Sequence, residues 1–355
     1  MVSSNSSIGT MLCDSARGFL RRHGESLRQL DALAAPTMPQ EIVDDVERLG
    51  WLNPIAPAGA DRGDFDASML ADLVCCVAGT SPALASLVLT HHYASCVLRA
   101  LPCPRANGWL ALDPYAEPDH IDPNLRIEVT DRGAIRLTGE AHNVVGALHA
   151  RHLLLTALKP EGTKALVTLD AARATISEPI PTLGFRGAGA CDLRVAIDGE
   201  SDPERFNGPF EIDCRFDEAR AMLAPSAAAL LLAVVVESNR VAEHFALTRI
   251  QGGRPIGEHD AIRRLLLRQR SALLACRTGH DACLAEPQAW LPALQLARQA
   301  ACEGTDLGIQ ILGGAGYVSN SGAERWYRDA RQASLLLGRS SVLAVPPKVR
   351  SSRPA

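Results

Sequence analysis

The sequence predicts an α+β multidomain chain: an N-terminal helical domain, a middle β-barrel-like domain and a C-terminal antiparallel four-helix bundle. Three observations carry that expectation. Apolar residues recur at helical spacing from about residue 8 to 105, alternate singly from about 125, and return to helical spacing from about 215. Gly and Pro breakers punctuate the helical stretches, leaving only short connections. The 355 residues also exceed what one core ordinarily covers, about 250–300. The changes of period divide the chain at 1–106, 107–212 and 213–355.

Each element has a local reason. In "MPQEIVDDVERLGWL", Ile42, Val46 and Leu49 are spaced four and three apart, and Gly50 stands where a helix stops. The stretch 67–101 carries two helices broken at Gly79–Pro82. In "LRIEVTDRGAIRLTGEA", Ile127 and Val129 precede an Asp131–Gly133 turn and Ile135 and Leu137 follow it, which is a hairpin pattern. "RHLLLTALKPEGTKALVTLD" gives two more strands, and "TLGFRGAGACDLRVAID" a glycine-rich loop and a strand. Residues 217–249, 257–283, 287–313 and 319–337 read as four long helices. Their short connections imply antiparallel neighbours.

Composition excludes several classes. The formal net charge is −4 and the Arg residues are scattered, which argues against nucleic acid. The N-terminal residues lack an apolar core of signal-peptide length. The most apolar run, "AMLAPSAAALLLAVVV", has 16 residues, short of the roughly 20 of a membrane span. It reads as a helix buried in the middle of the bundle. The ten cysteines form no CxxC pair and no His cluster joins them, so neither a zinc site nor a disulfide scaffold is indicated. Cys75, Cys96, Cys276 and Cys283 read as small core residues, which fits a cytoplasmic protein.

Four stretches carry a resemblance. "HFALTRIQGGRPIGEHDAI" is similar to a YAxxRxQFGxPIxxFQAI segment. "GIQILGGAGYVSNSGAERWYRDAR" is similar to QxxGGxGYxxxxxxERxYRDAR, "VERLGWLNPIAP" to a helix ending in LGLLGLxVP, and "TLGFRGAGACDLRV" to a loop and strand closing a β domain. Together, and in this order, they resemble the acyl-CoA dehydrogenase family. The resemblance implies that family's fold, FAD, an acyl-CoA thioester as substrate and oxidation of its CH–CH bond. It also implies a dimer or tetramer of identical or sister subunits, with an electron-transferring flavoprotein as candidate electron acceptor. In the family each FAD lies between two subunits.

The half of the cofactor site lent to a neighbour looks retained. Arg249 and Gln251 match the Arg and Gln of RxQFG. Gln310, Gly313 and Gly314 match QxxGG, where the resemblance places pyrophosphate and adenine contacts. Gly252 stands where the family has Phe. The flavin-facing half looks eroded. "LDPYAEPDH" lacks GSD, and Asn143 and Val145 occupy the outer positions of the family's WIT, so neither an aromatic face nor a hydroxyl is offered there. His142 and Asn143 also fit an ordinary turn.

Both seats of the family's catalytic base are apolar. The Glu of IYEGT corresponds to Leu337, and the alternative seat on the first bundle helix to Leu223. Leucine accepts no proton. Glu237, Glu218 and Glu258 each have a structural explanation. Asp329 with Arg328 and Arg331 reads as an ion-pair knot, and His91 and His92 as packing residues that are also the remaining candidates for a base. Two readings follow. One is a base-less partner subunit that supplies pyrophosphate-side FAD contacts for α,β-dehydrogenation in a hetero-oligomer. The other is a self-sufficient FAD enzyme with an unrecognised base or base-free chemistry.

Overall fold

The computed structural model describes residues 5–55, 65–99, 108–112, 123–129, 134–198, 206–211 and 215–338. Helices α1 (Asn5–Ala32), α2 (Gln40–Arg48), α3 (Ala67–Ala78) and α4 (Pro82–Arg99) come first. Helix α2 stops beside Gly50 at φ +74°, a left-handed position that glycine takes without Cβ strain. Asp66 caps α3 by accepting the Met69 N–H at 2.9 Å. The break between α3 and α4 falls where Gly79 and Pro82 placed it.

A mixed sheet follows. Its strands are β1 (Leu110–Leu112), β2 (Arg126–Val129), β3 (Ile135–Val145), β4 (His152–Leu158), β5 (Lys164–Asp170), β6 (Ala174–Ile176), β7 (Ala190–Asp198) and β8 (Phe206–Glu211). Pairing runs β6-β7-β3-β2-β4-β5-β8, with β1 beside β4. The expected hairpin is present, Ile127 opposite Leu137 and Val129 opposite Ile135, although its turn lies outside the described residues. Two pairings are parallel, β1 with β4 and β2 with β4 at Arg126–Leu158, which strand alternation did not foretell. Local pattern fixes the face a residue takes, not the partner strand.

The bundle comprises α5 (Arg215–Thr248), α6 (Asp260–Ala285), α7 (Trp290–Leu312) and α8 (Ala323–Ala333). Between α5 and α6 lies a two-rung ribbon, β9 (Ile250–Gln251) and β10 (Arg254–Pro255), turned by Gly252 and Gly253 at φ +62° and +81°. This ribbon was read as a plain connection. Helix α8 is shorter than expected. It gives way to a turn in which Leu337 takes φ +58° and Gly338 φ +90°. Helix α5 is long and apolar enough to span a membrane, but 83% of its most apolar window is buried inside the protein. It is the central rod of the bundle.

Packing joins what the sequence separates. Ile42, Trp51, Leu73 and Leu84 of the first helices share one apolar core with Leu223, Leu231, Leu294 and Leu337 of the bundle. A second core, with Leu137, Leu155, Val167 and Val195, lies in the sheet. A third and smaller one caps one bundle end, where Ala242 and Ala246 of α5 meet Ile256 and Ile309, Ile311 and Leu312 of α7.

Candidate functional site

The small core at the bundle end brings together the two motif segments that the sequence separates. Ile256 anchors the ribbon on it, and its N–H donates to the Arg249 carbonyl at 2.8 Å. Ile309, Leu312 and Ala315 anchor the end of α7 and the following turn. Gly316 packs so tightly that a Cβ there would lie 2.6 Å from the Ile309 carbonyl oxygen. That contact folds the GGAGY turn back on the helix.

On this platform the side chains of Arg249, Gln251 and Gln310 are exposed, and none has a polar partner among the described residues. A Cβ built at Gly253, Gly313 or Gly314 would meet nothing within 4 Å. The end of α7 therefore presents open backbone beside an unpaired guanidinium and two free amides. That donor set suits the oxygens of a pyrophosphate. Apolar side chains ring the same segments: Leu247 is 71% exposed, Ile250 57% and Tyr317 70%. A patch of this kind fits a surface that another molecule covers.

One contributor was missed. His259 stitches the ribbon: its Nε2–H donates to the Gln251 carbonyl at 3.0 Å, and its Nδ1 faces Arg254 Nη2 at 3.4 Å. The sequence shows only a histidine at a helix start, and the ribbon it closes is a tertiary feature.

The expected seats of a base are sealed. Leu223 is fully buried and Leu337 is 5% exposed, both within the large core. Buried Arg298 on α7 donates through Nη2 to the carbonyls of Leu336 and Gly338, the latter at 3.0 Å, and so holds the Leu337 turn. Glu237 pairs with Arg240 at 2.8 Å, and Glu218 and Glu258 are exposed. His91 donates from Nε2 to the Leu52 carbonyl at 3.1 Å and accepts the Leu110 N–H at Nδ1. His92 donates to the Trp51 carbonyl at 2.8 Å. Burial pushes His91 down to about 4 and His92 down to about 3, so both are neutral packing residues near pH 7.

The ion-pair knot exists with different partners. Arg328 pairs with Asp31 of α1 at 3.0 Å and with Glu324 at 2.5 Å. Asp329 faces Arg325 at 3.7 Å and accepts the Phe185 N–H at 2.7 Å. Arg331 instead stacks on Tyr327. Adjacent helix residues point apart, whereas residues four apart meet, so Asp329 finds Arg325 and not Arg328. Gly184 lies where a Cβ would be 2.5 Å from the Arg328 carbonyl oxygen. Two of the resembling segments, TLGFRGAG and YRDAR, therefore dock on each other. Burial pushes Asp329 up to about 6, against the pull of Arg325.

At the eroded half, Asn143 is exposed at φ +58° in a bulge of β3 opposite β7, and its N–H donates to Asp192 Oδ1 at 3.1 Å. The expected turn is instead a bulge within the strand, and Asn143 offers no aromatic face there. Beside it, His142 Nδ1 lies 3.3 Å from the same Asp192 oxygen, while its Nε2 stands 3.9 Å from Glu140. That His–Asp pair was not singled out from the sequence, because β3 and β7 meet only in the sheet. Among the described residues no group of three or more His, Cys, Asp or Glu is placed to hold a metal ion.

Comparisons with known proteins bear on the fold. Residues 212–344 match the family described as "Acyl-CoA dehydrogenase, C-terminal domain". The chain is 26% identical over 228 residues to "Probable acyl-CoA dehydrogenase YngJ" of Bacillus subtilis strain 168, and the match spans 58% of each chain. Its fold is similar to that of butyryl-CoA dehydrogenase from Megasphaera elsdenii, with TM-score 0.79, 16% identity and coverage of 96% of this chain and 97% of that one. It is also similar to dibenzothiophene monooxygenase TdsC from Paenibacillus sp. A11-2, with TM-score 0.69, 15% identity and coverage of 92% and 93%. The C-terminal bundle thus matches the C-terminal domain of acyl-CoA dehydrogenases, and the chain as a whole shares the fold of butyryl-CoA dehydrogenase.

Proposed function

We propose that this chain is an FAD-dependent subunit of an acyl-CoA dehydrogenase-type oxidoreductase, and that it lends its bundle end to a cofactor held mainly by another subunit. One observation carries the reading: the donors at the bundle end are unpaired and open, while both seats of the base are buried leucines. Arg249 and Gln251 would hold the pyrophosphate, and the backbone at Gly313 and Gly314 would approach it, with Gln310 beside them. A flavin held there would supply the acceptor for the hydride leaving the thioester's β-carbon. The proton at the α-carbon needs a basic group that Leu223 and Leu337 do not provide, and a sister subunit supplies it. Such a protein works as a hetero-oligomer on an acyl-CoA thioester in the cytoplasm.

The test is to purify the chain alone, read its flavin absorbance, and assay acyl-CoA oxidation with an artificial electron acceptor. Low flavin content and no turnover are expected, and both should be restored by a sister subunit carrying Glu at the base position. Near-stoichiometric FAD with turnover overturns the reading.

The His142–Asp192 pair favours one alternative, a self-sufficient flavoenzyme. A histidine oriented through Nδ1 by a carboxylate keeps Nε2 free to take a proton. It lies on the strand where the family's flavin-facing residues fall. In that case His142→Gln removes turnover and leaves flavin content unchanged.

A further inference from the structure

Two thiols far apart in sequence face each other away from the candidate site. Cys13 on α1 and Cys76 on α3 have Sγ atoms 3.7 Å apart, and both are free and half-buried. Helix packing builds this placement. A Cβ at Gly9 would lie 4.0 Å from Met69, and one at Gly24 3.7 Å from Thr80, so α1 runs along α3 in the same direction. The rotation of α1 is fixed just beyond Cys13 and again one turn further on. Trp51 Nε1–H donates to Ser15 Oγ at 3.3 Å, and Phe19 packs on the Trp51 ring at 4.8 Å between centroids.

We propose that Cys13 and Cys76 form a two-electron redox site, which closes as a reversible disulfide stapling α1 to α3 when hydrogen peroxide is present. The Cys13 thiolate attacks one peroxide oxygen. An S–O bond forms, the O–O bond breaks, and the leaving hydroxide takes up a proton to become water. The Cys76 sulfur then attacks the Cys13 sulfenic sulfur. An S–S bond forms, the S–O bond breaks, and the second hydroxide leaves with the Cys76 proton as water. In sum, two thiols lose two electrons and two protons, and one peroxide becomes two waters. The Sγ atoms, 3.7 Å apart, would close to a bond of about 2.05 Å.

The two sulfurs have distinct roles. Burial, with Cys13 beside it, pushes the Cys76 thiol up to about 12, so Cys76 resists direct oxidation and acts as the resolving thiol. The consequence reaches the far end of α1, where Asp31 holds Arg328 and Arg325 of α8. Oxidation fixes the strap that carries this contact. The inference is independent of the proposed function.

The test uses the full chain treated with a few equivalents of hydrogen peroxide, then alkylated, digested without reduction and mapped by mass spectrometry. The expected result is one peptide pair joined through Cys13 and Cys76, with two thiols lost, a Tm higher by roughly 5 °C, and reversal by dithiothreitol. Cys13→Ser and Cys76→Ser should each abolish the joined pair and the Tm change. Oxidation that stops at Cys13 as sulfinic acid overturns the proposal. So does a bridge between other cysteines, such as Cys75 and Cys276, or retention of all thiols. If either variant does not fold, the map of the unsubstituted chain decides the question by itself.

Discussion

The two ends of the bundle's chemistry are built oppositely. Around Arg249, Gln251, Gln310, Gly313 and Gly314 the polar groups are exposed and unpaired, and apolar side chains such as Leu247 and Tyr317 stand in solvent. Leu223 and Leu337 themselves are packed in the large core, and buried Arg298 donates to the carbonyls of Leu336 and Gly338 that frame the Leu337 turn. A folded chain leaves charged and amide donors open at little cost on a surface, but it cannot leave them unpaired inside. The open end is thus a surface waiting for a ligand or partner. The closed region has become ordinary core. The same bundle has an open polar edge at one place and a filled apolar core at the other.

The largest expected effect breaks the closed side. Leu337→Glu places an unpartnered carboxylate in the core, on a residue already at positive φ. It should cost about 3–5 kcal/mol, read as a lower urea midpoint. Acyl-CoA oxidation by the chain alone should remain absent. A midpoint unchanged from the parent, with new turnover, would show that the seat is a site and not core.

Arg249→Ala sharpens the open side. A charge-assisted hydrogen bond contributes about 1.5–3 kcal/mol, so FAD retention by the assembled complex should weaken roughly 10- to 150-fold. Stability should not change, because the guanidinium has no partner among the described residues. Equal FAD affinity in parent and variant would remove Arg249 from the cofactor site.

Acid separates two buried groups on the closed side. His91 and His92 have folded values lowered from 6.5 to about 4 and about 3. Their contribution is present above pH 6.5 and is lost as pH falls through those values. Asp329 has the opposite sign: raised from 3.8 to about 6, it favours the folded state below 3.8 and loses that contribution as pH rises to 6. Urea midpoints measured from pH 4 to 7 should therefore rise more steeply in Asp329→Asn than in the parent.

The smallest structural effect is Gly314→Ala. Nothing lies within 4 Å of the added methyl group, so stability should stay within about 0.5 kcal/mol in a thermal melt. Cofactor retention should fall all the same, because the methyl would stand where backbone must approach the pyrophosphate. A variant with unchanged retention would place that approach elsewhere.

The sequence by itself determined the order of elements, the central position of α5 and the breaks at Gly50, Gly79–Pro82 and Gly252–Gly253. All of these depend on local period, on φ freedom or on the need to bury an apolar helix. It also determined that Leu223 and Leu337 cannot take a proton, since that follows from side-chain chemistry alone. Only the tertiary structure decided which distant groups meet. It fused the first helices and the bundle into one core, because each face is apolar and neither segment covers itself. It paired Arg328 with Asp31 across 297 positions and Cys13 with Cys76 across 63. It set His142 against Asp192, and it left Arg249 without a partner among the described residues. Contacts between residues so far apart depend on how whole helices and strands pack, and spacing along the chain carries no record of that.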